Sequence, residues 1–543
     1  MHTVHSGSGP VPPVAPHVSP CPQPFNLAAY VLASAARTPE KMALQIVRPS
    51  GAERWSFGRL EAAVRGTATG LLQLGLPSGA KILLRLGNGP EFPVAFLGAI
   101  AADYVPVPTS AQLTEAEITK MAAGLGPDLV IAGDGIALPQ GGLPSLNLTD
   151  LRAMADLPPA AYAMGDPERL AYMVYTSGTS GQPRAVMHAH RAIWARRMMV
   201  EGWYGLRESD RILHAGAFNW TYTLGTGLLD PWSIGATALI PHPSVEPRMI
   251  PLLLKRFDAT IFAAAPGVYR QILKHHAKID APKLRHGLSA GEAMSPSLSA
   301  AWQEASGTLV HQALGMSECS TFLSGAPARP APTGTIGWPQ EGRKLGIRSE
   351  SGEITPLEAT GVPITGELMI HRADQGMFLG YYGAAEESAA RFDGDWFCTG
   401  DMIAREAETG AETGAVRYLG RADDLMNAGG FRVSPLEVEA VLSALPEAGD
   451  VAALVLEVKP EVSVIALAYT GAAEIAAFEA LAARDLARYK QPRAYLRQDT
   501  LPRNANGKLD RRALARALAT ALHTTTTEAD HGDAPQTLPR HDT

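Results

Sequence analysis

Apolar positions along the chain follow two rhythms. Short continuous runs of strand length, such as Lys81 to Leu86, Asp128 to Ala132 and Leu170 to Tyr175, alternate with longer segments of helical character, such as Glu91 to Ala101 and Ala189 to Glu201. A strand covered on both faces needs a continuous apolar run, so this alternation predicts an α/β fold of layered sheets and helices with mostly parallel strands. The rhythm changes near residue 421. Beyond it the segment starting at Pro435 reads as an amphipathic helix, Asp450 to Leu456 and Val462 to Tyr469 as strands, and Ala476 to Ala487 as a further helix. That is the pattern of a small α+β unit of about 100 residues. The expected organisation is a large N-terminal domain over 25–421 and a C-terminal domain over 422–522, with the boundary at Arg421 to Asp424. Residues 1–24, rich in Pro, Ser, Gly and His, and 523–543, polar throughout, cannot bury enough surface to offset ordering and are expected to be disordered tails.

Composition narrows the function classes. The chain has 543 residues with 47 Lys+Arg against 54 Asp+Glu, and the resulting formal charge of -7 argues against nonspecific nucleic-acid binding. Cys21, Cys319 and Cys398 lie far apart with no zinc-type spacing, which suits a reducing cytoplasm. The N-terminal stretch has neither a basic region nor an apolar core of the kind that directs export. Its longest apolar stretches, such as Val94 to Ala102, are about half the roughly 18 residues that a membrane span needs, and Asp230 splits the run from Leu224 to Ile240. No membrane insertion is expected.

The most informative stretch is Tyr175-Thr176-Ser177-Gly178-Thr179-Ser180-Gly181-Gln182-Pro183-Arg184, which follows a predicted strand. Glycines let the backbone approach an anion closely, hydroxyls and N–H groups donate to phosphate oxygens, and Arg184 adds a fixed positive fork. It is a phosphate cradle in composition, although no Walker A pattern can be drawn through it. A Ser/Gly-rich surface loop is the plain alternative.

Five further segments follow in a set order: Ala290-Gly291-Glu292, Leu314-Gly315-Met316-Ser317-Glu318, Trp396 to Asp401, Tyr418 to Asp424 and Pro502 to Lys508. Together with the cradle they resemble the motifs of adenylate-forming (AMP-binding) acyl-CoA synthetases, and the chain is similar to the benzoate-CoA ligases over about residues 25 to 520. The resemblance implies an ATP-dependent carboxylate:CoA ligase that forms an acyl-adenylate and then a thioester, releasing AMP and pyrophosphate. Its co-substrates would be ATP and coenzyme A, with Mg²⁺, and its substrate an aromatic or medium-sized carboxylic acid.

The same resemblance implies roles for single residues. Lys508 would meet the substrate carboxylate and the α-phosphate, Glu318 would bind Mg²⁺, and Arg184 would assist at the phosphates. Thr176, Ser177, Gly178, Thr179, Ser180, Gly181, Gly291, Glu292, Leu314, Gly315 and Ser317 would contact the nucleotide, with Asp401 and Arg421 at the ribose. Asp423 would be the hinge about which the C-terminal domain turns, and Gly429, Gly430, Phe431 and Arg432 would face the CoA thiol's path. Two departures stand out: Pro183-Arg184-Ala185 replaces the usual Pro-Lys-Gly, and Leu314 stands where an aromatic ring often stacks on adenine.

Phe218, Trp220 and Tyr222 fall where the family builds its acyl pocket; core packing explains three aromatics equally well. His188 and His190, without acidic or thiol partners nearby in sequence, read as structural. A stand-alone adenylation enzyme that loads a carrier protein, and a nucleotide-binding paralogue without turnover, remain as alternative readings. The resemblance leaves room for a homodimer.

Overall fold

The computed structural model describes residues 19–176, 183–357, 363–405, 414–428, 431–445, 447–459, 462–503 and 508–528. A nine-stranded sheet forms the backbone of the large domain, and six of its neighbours run parallel: Val310–Met316, His286–Ala290, Ile261–Ala263, Arg211–His214, Thr237–Pro241 and Met42–Arg48. Antiparallel strands flank this run, Gly51–Ser56 at one edge and Ser320–Ser324 followed by Trp338–Pro339 at the other. A four-stranded, all-parallel sheet holds Val105–Pro108, Lys81–Arg85, Leu129–Ala132 and Ser145–Leu146. The continuous apolar runs therefore do mark strands covered on both faces, as the burial of Ile82, Leu83 and Leu84 shows.

The large and small domains are α/β and α+β, as the sequence implies, but the expectation of mostly parallel strands needs correcting. Leu345–Arg348, Ile364–His371, Trp396–Arg405 and Val416–Arg421 belong to an antiparallel sheet. Leu170–Thr176, Arg184–Ala189 and Gly380–Tyr381 form another. Hairpin-like returns replace helical crossovers in these parts, and apolar runs alone do not record strand direction. The single helix expected over Ala189 to Glu201 is also broken, into Arg191–Ala195 and a widened turn at Val200–Tyr204. The break lets Arg196 and Tyr204 converge on buried Asp230: Arg196 donates from Nε and Nη2 at 2.7 and 2.6 Å, and the Tyr204 hydroxyl donates at 2.6 Å.

The small domain folds around Val451–Lys459, Val462–Tyr469 and Ala494–Arg497. Its strands alternate faces: Ala453, Ile465 and Leu467 pack with Val438, Leu442 and Phe478, while Leu454, Leu456 and Ala466 pack with Leu514 and Leu518 of the last helix. That helix, Arg511–Glu528, runs past residue 523, where a tail was expected to begin. The N-terminal tail also ends earlier than expected. The Trp194 indole donates to the Ser19 carbonyl at 2.9 Å and Cys21 packs against the core, so residues from 19 onward are tied down.

One buried ion pair joins these layers. Arg343 and Asp374 have side chains 0% exposed, and Arg343 donates to Asp374 at 2.8 Å and to the Thr321 carbonyl at 2.7 Å. Asp374 also accepts from the backbone N–H of Lys344 at 3.0 Å and of Gly376 at 2.8 Å. A guanidinium left without its carboxylate in such a place keeps its desolvation cost and loses its compensation. Asp374→Ala is expected to destabilise the large domain by about 3–5 kcal/mol, measured as a lowered urea midpoint. An unchanged midpoint would show that the pair contributes nothing.

Candidate active site

The parallel strands deliver their following loops to one side of the sheet, as open α/β folds do at the carboxyl ends of their strands. His286–Ala290 leads into Gly291 and Glu292, and Val310–Met316 ends in Ser317 and Glu318. A cavity of about 1520 Å³ opens there. Of the residues singled out in the sequence, Thr176, Arg184, Gly291, Glu292, Leu314, Gly315, Ser317, Glu318, Asp401, Arg421 and Lys508 line it. Positions more than 300 apart in the chain thus face one space.

Asp401 and Arg421 are cross-strand partners on Trp396–Arg405 and Val416–Arg421. Between Met402 and Ile403 the register shifts, so that Gly420 faces Met402 but Tyr418 faces Ile403. Residues three apart on a regular strand point to opposite faces; the extra residue, Leu419, turns Tyr418 to the same face as Arg421. Both reach the buried Asp401 carboxylate, the Tyr418 hydroxyl at 3.0 Å and Arg421 at 3.3 Å. Burial raises the Asp401 pKa above the ordinary carboxylate value, with Arg421 and Tyr418 working against the rise. The result is a fixed acceptor at the cavity wall.

Glu318 is held from two sides. Its carbonyl accepts from the Phe378 N–H at 2.8 Å, and its Oε1 accepts from the Tyr381 hydroxyl at 2.7 Å. Among the described residues no donor reaches Oε2. Arg184 pairs with Glu387, with its guanidinium carbon 5.3 Å from the centre of the Tyr381 ring. Ser317 and Thr221 share a hydroxyl contact at 3.2 Å, which ties the Glu318 loop to the aromatic segment.

Lys508 comes from the small domain. Its Nζ lies 5.7 Å from the centre of the Trp220 ring. The ammonium sits among protein atoms although part of the side chain reaches the surface. Desolvation lowers its pKa below the ordinary lysine value; Glu292 and Asp401 oppose that shift, and Arg421 adds to it. Gly291, at φ +93°, makes room: a Cβ there would stand 2.6 Å from Trp220 Cζ2 and 3.6 Å from Lys508 Cε. Glu292 has its own pKa raised by burial, against the pull of Arg503, Lys508, Arg270 and Arg511.

Other expected residues are placed elsewhere. Phe218 is a core side chain stacked near Phe92 at 5.0 Å, and the Tyr222 hydroxyl donates to the Leu288 carbonyl at 3.1 Å; neither lines the cavity. Trp220, 5.3 Å from Tyr222, is the aromatic that meets Lys508. Asp423 accepts from Arg512 of the last helix at 2.7 Å. Ser177, Gly178, Thr179, Ser180 and Gly181, with Gly429 and Gly430, lie outside the described residues; Phe431 and Arg432 fall on the short strand Phe431–Val433. His188 and His190 are buried, with pKa values pushed down by burial to about 3, and His190 Nδ1 accepts the Leu27 N–H at 3.0 Å. Both are neutral packing groups.

The sequence reading missed Tyr381, Tyr418, Glu387 and the charges Arg270 and Asp450. Tyr418 stood inside a quoted motif, but only the bulge gives it the right face. The others carry no local signal, since their partners are distant in sequence.

A large cavity at strand ends, lined by residues of both domains, is the usual place for a small-molecule site in an open α/β enzyme. The chain belongs to the AMP-binding enzyme family, which it matches over residues 31–382. It is 29% identical over 466 residues to the benzoate–CoA ligase of Thauera aromatica, covering 81% of this chain and 86% of that one. To the 3-hydroxybenzoate–CoA ligase of Aromatoleum sp. (strain CIB) it is 27% identical over 497 residues, covering 85% and 91%. The solved benzoate CoA ligase from Burkholderia xenovorans LB400 superposes with a TM-score of 0.79 at 27% identity, over 90% of this chain and 100% of that one. The chemistry is that of an AMP-forming ligase of the acyl-CoA synthetase superfamily.

A lysine can meet growing negative charge only in its protonated form, so a step that uses Lys508 runs below its pKa and is lost as pH rises through it. For acid-dependent ATP–pyrophosphate exchange, kcat/KM should therefore fall on the alkaline side before the ordinary lysine value of about 10.4 is reached. Lys508→Arg should move that limb upward even at a lower rate, because a guanidinium keeps its proton. A wild-type profile flat up to the ordinary value would mean that this ammonium is well solvated.

Proposed function

We propose that the chain is an acid–thiol ligase: it adenylates an aromatic or medium-sized carboxylic acid with ATP and passes the acyl group to coenzyme A. A carboxylate is a poor electrophile. Its oxygen attacks the α-phosphorus, pyrophosphate leaves, and AMP becomes the group that the CoA thiolate displaces. The observation that carries this reading is the Lys508 ammonium, set among Glu292, Asp401 and Trp220 at the mouth of the strand-end loops. One cation placed where charge grows is an efficient electrophilic stabiliser.

The other residues fit supporting parts. Asp401, fixed by Tyr418 and Arg421, suits a pair of ribose hydroxyls, and half-buried Leu314 offers an apolar face to the base. Among the described residues no group of three acidic, His or Cys side chains could hold a metal by itself. Mg²⁺ brought by the polyphosphate would be held by the Glu318 carboxylate together with phosphate oxygens, since Mg²⁺ commonly binds through one or two carboxylates plus phosphates. When bound it would neutralise phosphate charge. The aromatic preference rests on Trp220 beside Lys508 and on relatives named for benzoate and hydroxybenzoate. Cys21, Cys319 and Cys398, none of them in a disulfide, suit a reducing cytoplasm.

Mass spectrometry of products formed from ATP, Mg²⁺, CoA and a panel of aromatic and aliphatic acids tests the reading. An ATP-dependent acyl-CoA is expected, with the acid named by mass; acyl-AMP without thioester would point to a carrier-protein acceptor. Lys508→Ala should slow adenylate formation by about 10²–10³ while sparing thioester formation from supplied acyl-adenylate. Equal loss of both steps would count against a Lys508 that serves only the first.

A further inference from the structure

Asp450 immediately precedes Val451–Lys459, an edge strand of the small domain's sheet, and faces two arginines of different origin. Arg270, on the large-domain helix Pro266–Leu273, approaches with Nε 3.1 Å from Oδ1. Arg503, from the small domain itself, donates from Nη2 to Oδ2 at 3.0 Å. Arg503 also pairs by backbone bridge with Leu509, the residue that follows Lys508. The Asp450 backbone is anchored, because its N–H donates to Thr470 Oγ1 and the Thr470 N–H donates to its carbonyl, both at 2.8 Å.

These contacts respond differently to movement of the small domain. Asp450 and Arg503 travel together, so their pair survives any rigid-body rotation. The contact between Asp450 and Arg270 crosses the domains and has to break. A contact made in one arrangement only shifts the population toward that arrangement. We propose that Asp450 is a positioning residue: through Arg270 it clasps the small domain in the arrangement that brings Lys508 to the site, and through Arg503, bridged to Leu509, it steadies the backbone next to Lys508. The inference rests on the two-step ligase reading and adds to it the group that favours the first step.

Both arginine contacts are partly exposed, with side-chain exposures of 33% for Arg270 and 23% for Asp450, so the expected effect is modest. Asp450→Ala and Arg270→Ala should each slow acid-dependent ATP–pyrophosphate exchange by about fivefold. Thioester formation from supplied benzoyl-adenylate should stay unchanged or rise, a split that a merely structural lesion would not produce. Arg270→Lys should keep most of the exchange, and raised salt should narrow the gap between wild type and the alanine variants. Parallel loss of both half-reactions, or exchange at the wild-type rate in both alanine variants, would overturn the clasp. A wild-type protein that shows no exchange with any acid would overturn the ligase reading itself.

Discussion

The buried pairing of Arg343 with Asp374 gives the large domain its internal reference point. Both side chains are withdrawn from water, the two Arg343 Nη groups donate to Asp374 and to the Thr321 carbonyl, and the Lys344 and Gly376 N–H groups donate to Asp374. Such a network has few alternative arrangements of similar energy, because each loses a partner for a buried charge. The course of the chain after Asp374 follows. It passes the Glu318 backbone at Phe378, offers the Tyr381 hydroxyl to the Glu318 carboxylate, and pairs Gly380–Tyr381 with the strand that begins at Arg184. The acidic and basic sides of the cavity are thereby placed by one segment.

Domain separation has a second physical basis. The small domain buries apolar residues on both faces of its own sheet, so it needs no hydrophobic support from its neighbour. The contact of Asp450 with Arg270 is charged and partly hydrated, which lets the domains part without exposing a core. An apolar seam there would hold the two bodies in one pose.

Much of this was legible in the chain. Continuous apolar runs located buried strands, and the spaced motifs named many of the residues that line the cavity, most of them directly following or occupying a strand. What stayed hidden depends on geometry that local sequence does not encode. Phe218, Trp220 and Tyr222 are alike in composition, yet one lies in the core, one meets Lys508 and one donates inward to Leu288. Strand direction in the antiparallel sheets was also invisible to hydrophobic pattern, as were Arg270 and Asp450, each an ordinary charge until the domains meet.

The bulge at Leu419 bears on how such a site can change over time. Tyr418 and Arg421 reach Asp401 together because one extra residue lies between them in the ladder. Exchanging side chains at these positions alters the strength of the acceptor's surroundings step by step. Deleting the single residue Leu419 would leave every donor in the sequence and turn one of them to the other face. Change that keeps both donors on Asp401 is therefore confined to substitution at fixed spacing, and an alignment that slides the strand by one place compares residues that face different ways.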